Sequence, residues 1–257
     1  MRWLVNLIIG SFLFFPEKDF YALPQDFGLS QEEVSLATRD GVRLHGWFFE
    51  APAPPATLLF FHGNAGNISG RLIKAKGWVD RGVSVFLVDY RGYGRSEGRI
   101  EEGTDLLEDA RSALRWLEEV KGIPSEKIIL YGESIGSYPA TSLASEKKFA
   151  GLILEAPFTT LEELAKKHYS WVPGMLLKGF EMKNQPAIAI AKAPIFILHG
   201  DQDEICPKEM GERLYESAPS PKEFYVIRGG SHNDLPEVAG EAYFEYPYRF
   251  LTQENKF

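Results

Sequence analysis

Two Gly-x-Ser-x-Gly pentads occur in the chain, Gly94 to Gly98 around Ser96 and Gly132 to Gly136 around Ser134, and either could present a serine hydroxyl as a nucleophile. A hydroxyl attacks a carbonyl only when a base takes its proton and a carboxylate orients that base. Five histidines are candidates for the base: His45, His62, His168, His199 and His232. The stretch "ILHGDQDEICP" offers Asp201, Asp203 and Glu204 as carboxylates. Acyl transfer is the chemistry these residue types can support.

The elements needed to position them decide between the candidates. In an open α/β sheet, ligands bind beyond the carboxyl ends of the strands, so a nucleophile belongs where a strand ends and a helix begins. Ser134 follows the apolar run "KIILYG" directly and is followed by the small-residue helix "IGSYPATSLAS". Ser96 lies in a loop several residues beyond the strand "VSVFLVD" and is expected to be a polar turn residue. His232 is on the loop after the last strand, whereas His45 and His199 fall in or at strands, where a hydrogen-bonded structural role is expected. His168 could line a pocket. Asp203 lies far enough past its strand to reach the histidine loop, and Asp201 is expected to fix the turn.

Those strands belong to a recognisable pattern. "VSLATRDGVRLHGWFFEA" reads as two strands joined at Asp40-Gly41. Short β-rich apolar runs then alternate with helical stretches, as a parallel sheet covered on both faces requires. From Asp105 to Lys121, residues Leu106, Ala110, Leu114, Leu117 and Val120 share one helical face. The fold class is α/β, doubly wound and mostly parallel, with an antiparallel hairpin at its start. Residues 21–257 form the domain, interrupted at about 159–193 by a small helical insertion too long for an ordinary connection.

Bulk properties exclude other classes. A chain of 257 residues, 44% hydrophobic and 25% charged, can bury one sizeable core. Its net charge of -8 and lack of a basic run argue against a nucleic-acid partner. Cys206 is the lone cysteine, so no internal disulfide forms. At the N-terminus, residues 1–20 carry the apolar run "WLVNLIIGSFLFF", residues 3–15, which as a helix is too short to span a bilayer. It is read as a lipid-contacting anchor, with packing on the protein's own surface or a signal sequence as the alternatives.

Five ordered motifs, "FFHGNAGN", "DYRGYGRSEG", "GESIGS", "HGDQDEICP" and "GGSHND", resemble a small-cap serine hydrolase of the α/β-hydrolase superfamily. The similarity runs from about Val34 onward and extends to monoacylglycerol-lipase-like esterases and membrane-anchored depalmitoylating thioesterases. The resemblance implies a triad of Ser134, Asp203 and His232 and makes "DYRGYGRSEG" a structural loop. An oxyanion hole needs two N–H donors. One is the amide after the nucleophile, Ile135, and the resemblance places the other at Asn64. His62 is then expected behind the site and Asn67 as a helix cap or turn residue.

The expected substrate is a small acyl ester with a short to medium chain, monoacylglycerols included, held under Trp171, Met175, Leu176, Leu177 and Phe180 of the insertion. No cofactor is expected. A thioesterase would use the same machinery, and the sequence shows no appended propeller or large cap of the kind that would select peptides for a peptidase. A metal hydrolase would recruit His62, His199, His232, Asp201 and Asp203, yet the chain lacks H-E-x-x-H and paired ligand spacing. A noncatalytic binding module would keep the fold without turnover.

Overall fold

The computed structural model describes residue 10 and residues 13–169 and 174–255. In chain order its strands are β1 (Phe15–Pro16), β2 (Glu32–Ala37), β3 (Arg43–Phe49), β4 (Thr57–Phe61), β5 (Ala65–Gly66), β6 (Ser84–Val88), β7 (Ile128–Glu133), β8 (Gly151–Glu155), β9 (Ile195–Gly200) and β10 (Lys222–Ile227). The helices are α1 (Leu72–Val79), α2 (Gly103–Arg115), α3 (Ser137–Glu146), α4 (Leu161–His168), α5 (Asn184–Ile188), α6 (Lys208–Ser217), α7 (Leu235–Ala239) and α8 (Ala242–Asn255).

Eight strands form one sheet in the order β10-β9-β8-β7-β4-β6-β3-β2. The β2–β3 and β3–β6 pairs are antiparallel and all the others are parallel. The mostly parallel α/β reading with an antiparallel start therefore holds. The central strand β4 is buried throughout, and its residues Leu58 to Phe61 alternate between two apolar cores. Leu59 and Phe61 face the layer that contains residues of α2, α3, α5 and α6. Leu58 and Phe60 face the layer built from α1, α7 and α8. Each layer buries an apolar helix stripe, and that burial is the main force holding the sheet.

The β2–β3 hairpin turns at Asp40-Gly41, where Gly41 takes the left-handed φ of +86° that glycine tolerates without strain. The expected helix from Asp105 needs a correction at its end. The α-helix stops at Arg115 and continues as a π turn over Trp116–Val120. The wider turn shifts the face: Leu117 stays buried, while Val120 is 66% exposed. Within the insertion, α4, a short 3-10 turn at Gly174–Leu177 and α5 follow one another, with an isolated bridge between Thr160 and Lys183.

Candidate active site

Ser134 stands at the sharp turn between β7 and the helical run that becomes α3, with φ of +51°. A side chain other than glycine's is strained in that region, and the turn persists because its flanks leave room for nothing larger. A Cβ on Gly132 would lie 2.6 Å from Gly136 O, and one on Gly136 would lie 2.1 Å from Phe61 O. Ser137 Oγ donates to Ser134 O at 2.6 Å and accepts from Asn184 Nδ2 at 2.8 Å, so the insertion braces the elbow.

Two loops meet this serine. After β9, Asp201 Oδ1 accepts from Gly229 N at 2.7 Å, and Gln202 N donates to Gly230 O at 2.9 Å. These bonds stitch the Asp201–Cys206 loop to the loop after β10, as the turn-fixing reading of Asp201 expects. His232 Nδ1–H then donates to Asp203 Oδ2 at 2.7 Å, and the Ser134 hydroxyl donates to His232 Nε2 at 3.0 Å. Asp203 Oδ1 accepts from the amides of Ile205 and Cys206 at 2.9 and 2.8 Å, which fixes the carboxylate. Burial pushes this carboxyl up, but hydrogen bonds from His199 and His232 outweigh it and hold the group well below the usual carboxylate range. Asp203 is therefore an anion throughout the neutral range. Burial and the Asp203 charge push the neighbouring Cys206 thiol up, so it remains protonated.

The other candidates are structural. Ser96 Oγ donates to Asp89 O at 2.8 Å and accepts from His45 N at 2.9 Å, tying its loop to β3. His199 donates from Nε2 to Cys206 O at 2.7 Å, and His45 pairs with Glu33. His62 is fully buried and donates to Gly63 O at 2.8 Å; burial lowers its pKa to about 4, so it is neutral. Asn67 caps the following 3-10 turn by accepting from Ser69 N. His168 bonds Ile205 O at 2.7 Å and borders the cavity. Among the described residues, no three His, Cys, Asp or Glu side chains gather into a metal-binding cluster.

Ser134 and His232 open on a cavity of about 420 Å³, a size suited to a small organic ligand. Asn64 and Ile135 border it. Ile135 lies in the first helical turn after Ser134, where amides have no partner within the helix. Among the described residues, the Asn64 amide has no acceptor.

The cavity's apolar walls differ from the expected set. Leu161, Leu164, Ala165 and Tyr169 come from α4 and its end, Phe158 and Ile205 from loops, and Leu13 and Phe15 from the N-terminal segment. Phe180 is not one of them: it is 1% exposed and packs against Phe14 with ring centroids 5.9 Å apart. It belongs to the core beneath the insertion, because a large apolar residue serves a core as readily as a pocket. Leu177 is likewise buried. Trp171 lies outside the described residues, as do the side chains of Met175 and Leu176.

A charged wall went unread in the sequence. Arg71 and Glu133 border the cavity, paired at 2.8 Å. Lys74 bonds Glu133 at 2.9 Å and Glu155 at 3.0 Å, and Glu155 Oε2 also accepts from Tyr131 and Tyr243. Burial pushes Glu133 up, but Arg71 and Lys74 more than compensate and keep its carboxyl well below the ordinary range. No local pattern announces this network, since its partners are 24 to 112 residues apart.

Comparison with known proteins agrees with this architecture. The family model described as serine aminopeptidase S33 matches residues 52–189, just over half of the chain. The Mycobacterium tuberculosis protein Rv2307c is 37% identical over 227 residues, covering 86% of this chain and 79% of its own. The Schizosaccharomyces pombe protein bem46 is 32% identical, covering 90% and 80%. Among solved structures, the Pyrococcus furiosus esterase Pf2001 superposes with a TM-score of 0.78 at 20% identity, covering 93% of this chain and 98% of that one. A puromycin-hydrolyzing peptidase of Mycobacterium tuberculosis superposes with a TM-score of 0.74 at 18% identity, but only 40% of that chain is covered.

Proposed function

The chain belongs to the α/β-hydrolase family matched by the serine aminopeptidase S33 model, and on that footing we propose that it hydrolyses carboxylic esters with short to medium acyl chains. The observation that carries the proposal is the hydrogen-bonded line from Ser134 through His232 to Asp203, opening on a mostly apolar cavity. Ser134 Oγ attacks the acyl carbon while His232 Nε2 takes its proton. Asp203 holds the imidazole in the tautomer that leaves Nε2 unprotonated and stabilises the imidazolium once formed. The carbonyl oxygen, now negative, receives the N–H groups of Asn64 and Ile135, each donor being worth roughly 10²–10³ in rate. Collapse breaks the ester C–O bond, and His232 returns its proton to the departing alcohol. Water, activated by the same imidazole, then attacks the acyl-serine and releases the acid.

The cavity argues for an ester over a peptide amine. An aminopeptidase needs an anion for the substrate's ammonium group. Among the described residues lining the cavity, Glu133 is the acidic one, and Arg71 and Lys74 already neutralise it. We further propose that the apolar N-terminal run contacts lipid, with the run's composition as the support.

The test is kcat/KM for nitrophenyl esters from acetate to palmitate, with matching acyl thioesters and aminoacyl anilides. The account expects a rise with chain length to an optimum short of palmitate, because each buried methylene contributes about 0.8 kcal/mol until the pocket is full. A strong thioester preference, an optimum at palmitate, or faster anilide cleavage would each displace it.

A further inference from the structure

We infer that the segment Leu13–Glu17 is a wall of the active site, with Leu13 and Phe15 setting acyl-chain selectivity and Asn64 tethering the oxyanion loop to it. The inference rests on the ester-hydrolase reading and deepens it.

The segment is attached along the whole oxyanion loop. Asn64 Nδ2 donates to Leu13 O at 2.6 Å. Phe15 and Pro16 pair in parallel with Ala65 and Gly66, and Glu17 N donates to Gly66 O at 3.1 Å. Asn67 Nδ2 completes the run by donating to Glu17 O at 3.0 Å and to Asp19 O at 2.7 Å. From elsewhere, Tyr93 OH donates to Asn64 O at 2.7 Å, and Arg71 Nη1 donates to Ala65 O at 2.9 Å. The loop whose Asn64 amide would meet the oxyanion is therefore held between the body of the domain and a strand from the chain's beginning.

Phe14 N closes a helical turn on Gly10 O at 2.9 Å, and the backbone becomes extended only at Phe15. Phe14 is 6% exposed and packs on Phe180 in the core, while Leu13 and Phe15 border the cavity. Phe15 is 54% exposed, and with Tyr169 and Ile205 it forms an apolar rim of the same cavity. A ring left in water at the mouth of an acyl site gains contact when an alkyl chain lies against it. Phe15 thus rewards long chains over acetate, which does not reach the rim.

Two sets of full-length variants test this. Phe15→Ala should lower the octanoate-to-acetate ratio of kcat/KM about tenfold or more, since a buried methylene is worth about fourfold. Phe15→Leu should restore most of that ratio. Asn64→Ala keeps the backbone amide but loses the tether, so kcat should fall about tenfold on both esters with KM little changed. Should Phe15→Ala fail to fold, Phe15→Gln at this half-exposed site reads the same ratio. A chain-length ratio unchanged in the Phe15 variants of an active enzyme would overturn the wall while leaving the esterase reading intact. Wild-type protein inactive on every ester would overturn both.

Discussion

At the scale of single residues, the account turns on which carboxylate orients His232. Asp203 holds the imidazole at 2.7 Å and is itself fixed by two amides, whereas Asp201 spends its oxygen on Gly229 N. Asp203→Asn should lower kcat about 10⁴-fold, and Asp201→Asn far less; steady-state kinetics on a short ester, with circular dichroism to verify folding, distinguishes them. The pH profile follows from the same groups. Asp203 stays ionised because its carboxyl is held well below the usual carboxylate range, so kcat/KM on a short ester should show no loss on acidification that titrates as an ordinary carboxylate, and such a loss would contradict the assignment. Much of this was legible in the sequence, because elbow, acid loop and histidine loop each follow an apolar strand and their chain order limits the pairing. Ser96 could be set aside for the same reason: its strand ends too early to hold it at an elbow.

At the scale of elements, the elbow stands beside a buried charge network that no periodicity reveals. Lys74 compensates both Glu133 and Glu155, so Lys74→Met should leave excess buried negative charge and cost about 3–5 kcal/mol, read from urea unfolding at pH 7. The pH dependence has a defined sign. Glu133 has a depressed folded pKa, so its contribution is present above the unfolded value of about 4.3 and is lost as pH falls below it. Wild-type stability should drop on acidification through that region, and the variant's less steeply. The hairpin and the alternating strands were legible because their patterns are local. The end of α2 was not, because a π turn moves Val120 off the apolar face without changing its spacing. Phe180 was misassigned because apolarity alone does not separate a core residue from a pocket wall.

At the scale of the whole molecule, the N-terminal run divides into two parts. Its last residues, Leu13 to Phe15, lie against the domain, and no helix among the described residues is long and apolar enough to cross a membrane. The remainder of the run is the part proposed to meet lipid. With a net charge of -8, the body offers no electrostatic help on an anionic surface. Full-length protein should co-sediment with neutral phosphatidylcholine vesicles, and removal of residues 1–9 should abolish that binding while preserving hydrolysis of a soluble short ester. Equal sedimentation of the two would dismiss the lipid contact. The wall formed by Leu13 and Phe15 was invisible in the sequence, since it depends on a contact across about fifty residues.

The central claim is that Ser134 becomes acylated, and a fluorophosphonate reports this directly by bonding covalently to an activated serine. Intact-mass and peptide mass spectrometry should find one adduct, on Ser134, in the wild type and in Ser96→Ala, and none in Ser134→Ala. An adduct on Ser96, or labelling that survives Ser134→Ala, would contradict the account.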